Sequence, residues 1–335
     1  MHQQNRPKHS ASRRRLLRLG GAVAVAAAVG ATVPFIHAGD AQATVDNSSR
    51  FKLDGAGGNP ILLKSLAANW VLQSFAYDNT HQHIYFVQVN SVNTDPDHVG
   101  DLWITKTDTA GRILGSMALH RFGHGVSIGV EPSGSGAYLW TEWKSSAGGF
   151  GTKIGRFKFV DGATLAPDSA AVQDRTPQLT GVHSPQAAID PSTDRVWYRY
   201  KTSTGDARIV GYKLADAVAG RLTSGYRLAE RALPSRGSWG DANPFQGYAV
   251  YGRYAYLLEG VAKGDAYISV IDLNASGQSL VVDRWPTTAG QSLSNREPEG
   301  MAIWLSPAGP RLAFGFESNT GGKRQASVFY KSQFV

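Results

Sequence analysis

From Asn69 to the end of the chain, short apolar and aromatic runs are separated by clusters of Gly, Asp, Asn, Pro and Ser. Such punctuation marks strands joined by tight turns. Helical spacing is nearly absent: the best stretch, YKLADAVAG at residues 212 to 220, amounts to one or two turns. Five segments align at a long period. They are QSFAYDNTHQHIYFVQ (73–88), HGVSIGVEPSGSGAYLWTEW (124–143), QAAIDPSTDRVWYRY (186–200), QGYAVYGRYAYLLEG (246–260) and EGMAIWLSPAGPRLAFGFE (299–317). Each opens on a polar residue, in turn Gln73, His124, Gln186, Gln246 and Glu299. A small or apolar strand, a turn and an aromatic-rich second strand follow. The openings lie 51, 62, 60 and 53 residues apart. In the third repeat Gln186 stands one residue closer to its strand, so Pro185 is an alternative for that place.

Each repeat also offers a third strand. In the first, GRILGSMAL follows GDLWITKT; the others contribute GTKIGRFKF, ARIVGYKL, AYISVIDL and ASVFYKS. A unit of roughly fifty to sixty residues with three or four antiparallel strands is a propeller blade. The pattern therefore predicts an all-β fold, a single five-bladed β-propeller over residues 44–335, with an irregular β-sandwich or solenoid as the alternative. Residues Phe51 to Leu63 have no repeat of their own and are expected to add the outer strand to the last blade, closing the ring.

The first 43 residues read differently. SRRRLLRL (12–19) precedes the weakly apolar, Ala- and Gly-rich run GGAVAVAAAVGATVPFI (20–36), and Ala41-Gln42-Ala43 fits a cleavage motif before Thr44. Paired arginines ahead of such a run predict a cleaved twin-arginine signal peptide over residues 1–43, with the export machinery of that route as a partner. The run is too short and Gly-rich for a comfortable membrane span. The expected destination is outside the cell, associated with the wall, with no membrane attachment after cleavage. The full chain carries 34 Lys+Arg against 26 Asp+Glu. Removing the leader leaves 28 against 25, a balance of +3, so the basic character belongs largely to the leader and does not argue for nucleic acid. Cysteine is absent, which excludes disulfides and thiolate metal sites. The 38 Gly, 15 Pro and 34 aromatic residues suit many short strands and turns.

Taken together, QSFAYD, GHGVSIGVE, YLWTEW and REPEGMAI resemble the family that contains teichoic-acid biosynthesis protein C-like proteins, helveticin-type bacteriocins and the receptor-binding propeller of certain phages of Gram-positive bacteria. The resemblance spans Asn69 to Val335. It implies a five-bladed propeller and, from the phage members, binding of wall teichoic acid; the biosynthetic name does not imply an enzyme.

In a propeller, the starts of the innermost strands ring one end of the central channel. Gln73, His124, Gln186, Gln246 and Glu299 are therefore the expected ligand-binding ring, with Arg296 and Glu297 from NREPEG and His183 from GVHSPQ beside it. Arg296 could pair bidentately with a phosphate or uronate. The opposing view is that these groups satisfy one another and plug the axis. Trp239, in a Gly/Ser-rich loop, is a candidate for stacking on sugars, whereas Trp140 and Trp143 of YLWTEW flank Glu142, and Trp140 is expected in the core. Asp95, Asp97 and Asp101 in TDPDHVGD lack the Gly and closing Glu of a calcium loop and read as a turn. His81 and His83 lack a third zinc ligand. No metal or cofactor is expected. The sequence has no P-loop or Rossmann fingerprint, and its G-x-S-x-G string, Gly125 to Gly129 in HGVSIGVE, runs into a strand pattern and not into the helix that a nucleophile elbow needs. The leading expectation is non-catalytic recognition of an anionic cell-surface glycopolymer, teichoic acid or a related polysaccharide. The alternative is a secreted polysaccharide lyase or hydrolase, with His124 or His183 as base, Tyr77 or Tyr198 as acid and Arg296 neutralising a uronate. A bacteriocin-like role is a third possibility raised by the resemblance.

Overall fold

The computed structural model describes residues 45–90, 95–234, 243–275 and 280–335. A first strand, β1 (Gly57–Lys64), stands apart from the repeats. The first repeat forms β2 (Val71–Asp78), β3 (His83–Val89), β4 (Leu102–Asp108) and β5 (Ile113–Leu119). The second forms β6 (Ile128–Ser133), β7 (Gly136–Ser145) and β8 (Gly151–Lys158), followed by the short β9 (Thr164–Leu165) and β10 (Gln173–Asp174). The third gives β11 (His183–Asp190), β12 (Arg195–Lys201), β13 (Ala207–Lys213) and β14 (Ala229–Ala232). The fourth gives β15 (Phe245–Tyr251), β16 (Tyr254–Gly260), β17 (Ala266–Asp272) and β18 (Val281–Pro286), and the fifth β19 (Glu297–Ser306), β20 (Gly309–Thr320) and β21 (Lys323–Lys331). Each repeat is one antiparallel meander, and β1 pairs antiparallel with β21 as the outer strand of the fifth sheet. Five sheets result, each a blade.

The innermost strands pack in succession, β2 on β6, β6 on β11, β11 on β15, β15 on β19 and β19 back on β2. The ring is thus closed. Burial falls from the axis outward: every residue of β2 is buried, whereas β1 and β18 are largely half-buried or exposed. An inner strand is covered on both faces by the neighbouring blades, so it loses the in–out alternation of a strand with one wet face. The core lies between blades. Trp140 of the second meets Tyr198 and Tyr212 of the third, and Trp197 of the third meets Tyr248 and Ile271 of the fourth. Phe51, ahead of β1, is fully buried with Tyr256, Phe314 and Phe316.

Beneath the leading face, where the inner strands start, neighbours are latched. Ser74 Oγ donates to the Gly125 carbonyl (2.6 Å), Ser127 Oγ to the Ala187 carbonyl (2.6 Å), and the Tyr248 hydroxyl to the Gln186 carbonyl (2.9 Å). Blades four, five and one meet by backbone: a Cβ on Gly300, which has φ +81°, would lie 2.6 Å from Ser74 Cα. Only glycine fits there. The two longer repeats have visible causes. After β8 the chain runs back to pair β9 with β5 in parallel before β10 returns to its own sheet. After β13 it makes the one-turn helix α1 (Leu214–Val218).

Candidate functional site

Antiparallel order places the start of each inner strand beside the end of the second strand. Ala76, Ile128, Ala188, Ala249 and Ala302 supply one layer of small or apolar side chains around the axis. Counted back from that layer, Gln73, Gln246 and Glu299 hold one position, and a β-bulge falls there in the first, fourth and fifth sheets. The equivalent residues in the second and third blades are Gly125 and Pro185. The expected ring is corrected accordingly: His124 stands one residue before its row and Gln186 one after, because the bulge of the third sheet takes up Ser184 and Pro185.

Much of this polar set is engaged internally. Gln73 is buried and its amide donates to Glu299 Oε1 (3.2 Å) and to the Leu72 carbonyl (2.8 Å). Buried Gln186 accepts from Arg199 (2.8 Å), whose guanidinium lies 3.8 Å from the centre of the Phe245 ring and whose pKa burial lowers to about 10. Gln246 is half-buried and donates to the Gly260 carbonyl (3.0 Å). Glu297 sits opposite Glu317 on the neighbouring strand. Arg296 is buried, and its guanidinium donates to the carbonyls of Thr287 (2.6 Å), Ala289 (2.9 Å) and Gly264 (3.1 Å), stacked 4.6 Å over Phe316. The bidentate anion grip expected of it is replaced by a clamp on backbone. His124 keeps a half-exposed ring stacked on Phe150 at 4.8 Å, while its backbone N–H donates to the buried Glu142 carboxylate (2.7 Å). His183 is exposed at the head of β11.

Two of the groups considered for catalysis are shielded from solvent. Tyr77 and Tyr198 lie in the core, where burial raises their phenol pKa, and Tyr77 stacks on Trp304 at 5.2 Å. His124, His183 and Arg296 belong to three different blades. Trp140 is fully buried, its indole donating to Glu131 (2.8 Å). Trp239 lies outside the described residues.

Two cavities remain to be weighed. One, of about 210 Å³, lies on the axis beyond the small-residue layer, and its walls are mixed, with Asn79, Thr80 and Asp194 among the polar groups. The other, of about 290 Å³, opens on the leading face of the first blade. Trp70, Asn90, His98, Asp101, Trp103 and His120 line it. The two indoles meet edge to face at 5.9 Å. Asp95 caps the short 3₁₀ turn Pro96–His98 through the Asp97 N–H, and this turn carries His98 toward Asp101. The TDPDHVGD segment is thus a turn at Asp95 and Asp97, but Asp101 is buried and bonded to both His98 (2.7 Å) and His120 (3.2 Å). Sequence spacing brought none of Trp70, Trp103 or His120 to notice, since they come from three separate segments. The second cavity combines flat apolar surface with convergent donors and acceptors, as a ligand pocket requires.

Residues 71–330 match the model of the phage five-bladed β-propeller receptor-binding platform domain. The chain belongs to this family. A putative major teichoic acid biosynthesis protein C from Bacillus subtilis (strain 168) is 26% identical over 275 residues, covering 79% of this chain and 60% of that protein. The tail fibre of Staphylococcus aureus phage P68 superposes with a TM-score of 0.68 at 24% identity, over 84% of this chain and 54% of that one. This propeller therefore spans little more than half the length of either relative. Among its described residues, no helix is long and apolar enough to cross a membrane.

Proposed function

We propose that this propeller is a secreted recognition module that binds an anionic cell-surface glycopolymer of the teichoic-acid class through its leading face, without turnover. The observation that carries the reading is the first-blade pocket, where Trp70 and Trp103 stand beside Asn90, His98 and His120. Its volume, about 290 Å³, suits one sugar or polyol-phosphate unit of a chain lying across the face. Exposed Arg121, next to His120, adds positive charge at the rim. Membership of a receptor-binding family supports recognition, and the name of the Bacillus subtilis relative supports the polymer class. The internal engagement of Arg296 and the core positions of Tyr77 and Tyr198 support binding over cleavage. Residues 1–43 are proposed as the twin-arginine leader that delivers the propeller to the wall.

The test is retention on purified wall teichoic acid, with soluble fragments assayed in the same samples. Trp70→Ala and Trp103→Ala are each expected to weaken retention about thirtyfold, the equivalent of ~2 kcal/mol for a stacking anchor. Undiminished retention by both folded variants would remove the pocket from the reading. Fragment release would replace recognition by hydrolysis or elimination.

A further inference from the structure

We propose that His98, Asp101 and His120 form a site for one divalent transition-metal ion of the zinc class at the mouth of the first-blade pocket. The ligand atoms of the three residues lie within 4.8 Å of one another. Both imidazoles direct Nδ1 at the same carboxylate oxygen, Asp101 Oδ2, at 2.7 Å and 3.2 Å. In tetrahedral coordination with bonds of ~2.0–2.1 Å, ligand atoms stand roughly 3.4 Å apart. The two histidine–carboxylate separations lie within about 0.7 Å of that value.

The frame around the trio is fixed. The second oxygen of Asp101 accepts the Arg121 N–H (2.9 Å), and the Asp101 backbone bonds to the His98 carbonyl (3.1 Å) and the Asn90 N–H (3.1 Å). His120 is anchored by its own N–H on the Leu165 carbonyl (2.8 Å), from the short strand β9 that crosses from the second blade. Such outer hydrogen bonds hold a carboxylate ligand in one orientation. Two imidazoles and one carboxylate are borderline donors that favour zinc, cobalt or nickel over calcium or magnesium, which prefer all-oxygen shells. The imidazoles are 41% and 43% exposed while Asp101 is 5% exposed, so three protein ligands close one side of the ion and leave the other open. An open fourth position is the arrangement that accepts water or an exogenous oxygen ligand.

The experiment is calorimetric titration of the purified full chain, made without a histidine tag, with ZnCl₂, and an absorbance titration with CoCl₂. The expected result is one equivalent bound at micromolar or lower Kd, with cobalt d–d bands of low coordination number. His98→Ala and His120→Ala should each weaken that equivalent at least ~10-fold, and the double variant should abolish it. Asp101 keeps the Arg121 N–H in these variants, so they should remain folded at the titration temperature, with a melting temperature lowered by the lost imidazole–carboxylate bonds. Asp101→Asn, which keeps an acceptor for the Arg121 N–H, should weaken binding as well. Absence of a stoichiometric event up to about 1 mM zinc, or an event unchanged in the double variant, would overturn the site. No polymer is present in either titration, so the outcome stands apart from that of glycopolymer recognition.

Discussion

Replacing Arg296 separates two roles that a single sequence position cannot distinguish. The side chain joins the Gly264 turn between β16 and β17 to the segment 287–289 between the fourth and fifth blades. It does so from backbone of positive φ, +70° at Asn295 and +38° at Arg296, a conformation that costs about 1 kcal/mol or more per residue unless its surroundings hold it. Hydrogen bonds to a charged donor contribute about 1.5–3 kcal/mol each. Arg296→Ala removes three of them, but the freed carbonyls lie near loops and regain water in part, so about half the gross sum should be lost. Stacking on Phe316 adds roughly 0.5–1 kcal/mol. The expected destabilisation is about 3–4 kcal/mol, a large share of the ~5–15 kcal/mol that holds a domain. At ~2–4 °C per kcal/mol this lowers the melting temperature by roughly 6–16 °C. Polymer retention, measured cold where the variant remains folded, should change less than about twofold. Arg296→Lys should recover little, because an ammonium cannot span three carbonyls in the guanidinium plane. A variant that melts within about 1 °C of the parent yet loses retention would refute the clamp and return Arg296 to the binding surface.

Phe51→Ala should cost about 3–5 kcal/mol in denaturant titration, since Phe51 is fully buried against Tyr251, Tyr256 and Phe334 and its N–H bonds the Tyr256 hydroxyl (2.9 Å); a loss under ~1 kcal/mol would show that the N-terminal stretch does not secure the ring. Burial holds the Glu142 carboxyl above its ordinary value of 4.5, against the N–H groups of Gly151 and His124 that favour the charged form. Below that value the group is neutral in both states; as pH rises the unfolded chain ionises first, so its contribution to stability is lost. The stability of Glu142→Gln relative to the parent should accordingly rise from pH 4.5 toward neutrality in matched denaturation curves, and a pH-independent difference would contradict the assignment. Gly300→Ala should destabilise by more than about 2 kcal/mol in the same titration, because the added Cβ meets Ser74 Cα at 2.6 Å on backbone of φ +81°.

The repeats were legible because each blade must restate the same physical requirement. An inner strand covered on both faces demands small or apolar residues, and the second strand supplies the aromatics that fill the space between blades; QSFAYD, QAAID and EGMAIW all obey this. The outer closure by β1 was also readable, since an unpaired stretch before the first repeat matches an open edge after β21. Polar residues at the strand openings were visible as well, but their partners were not. Gln73 with Glu299 joins positions 226 residues apart, and Gln186 with Arg199 depends on a bulge that shifts the register by one.

Composition, periodicity and motif order thus determined the fold class, the number of blades and the family, because these follow from local strand chemistry repeated along the chain. Which polar groups are available to a ligand was decided only in three dimensions. Arg296 looked like an anion ligand by type, and its surroundings made it a backbone clamp. Asp101 read as part of a turn and His120 carried no signal, but antiparallel pairing set the start of β4 beside the ends of β3 and β5 and so brought His98, Asp101 and His120 around one pocket with Trp70 and Trp103. Strand identity is encoded within a few residues, whereas a site belongs to loops whose meeting depends on register, bulges and ring closure.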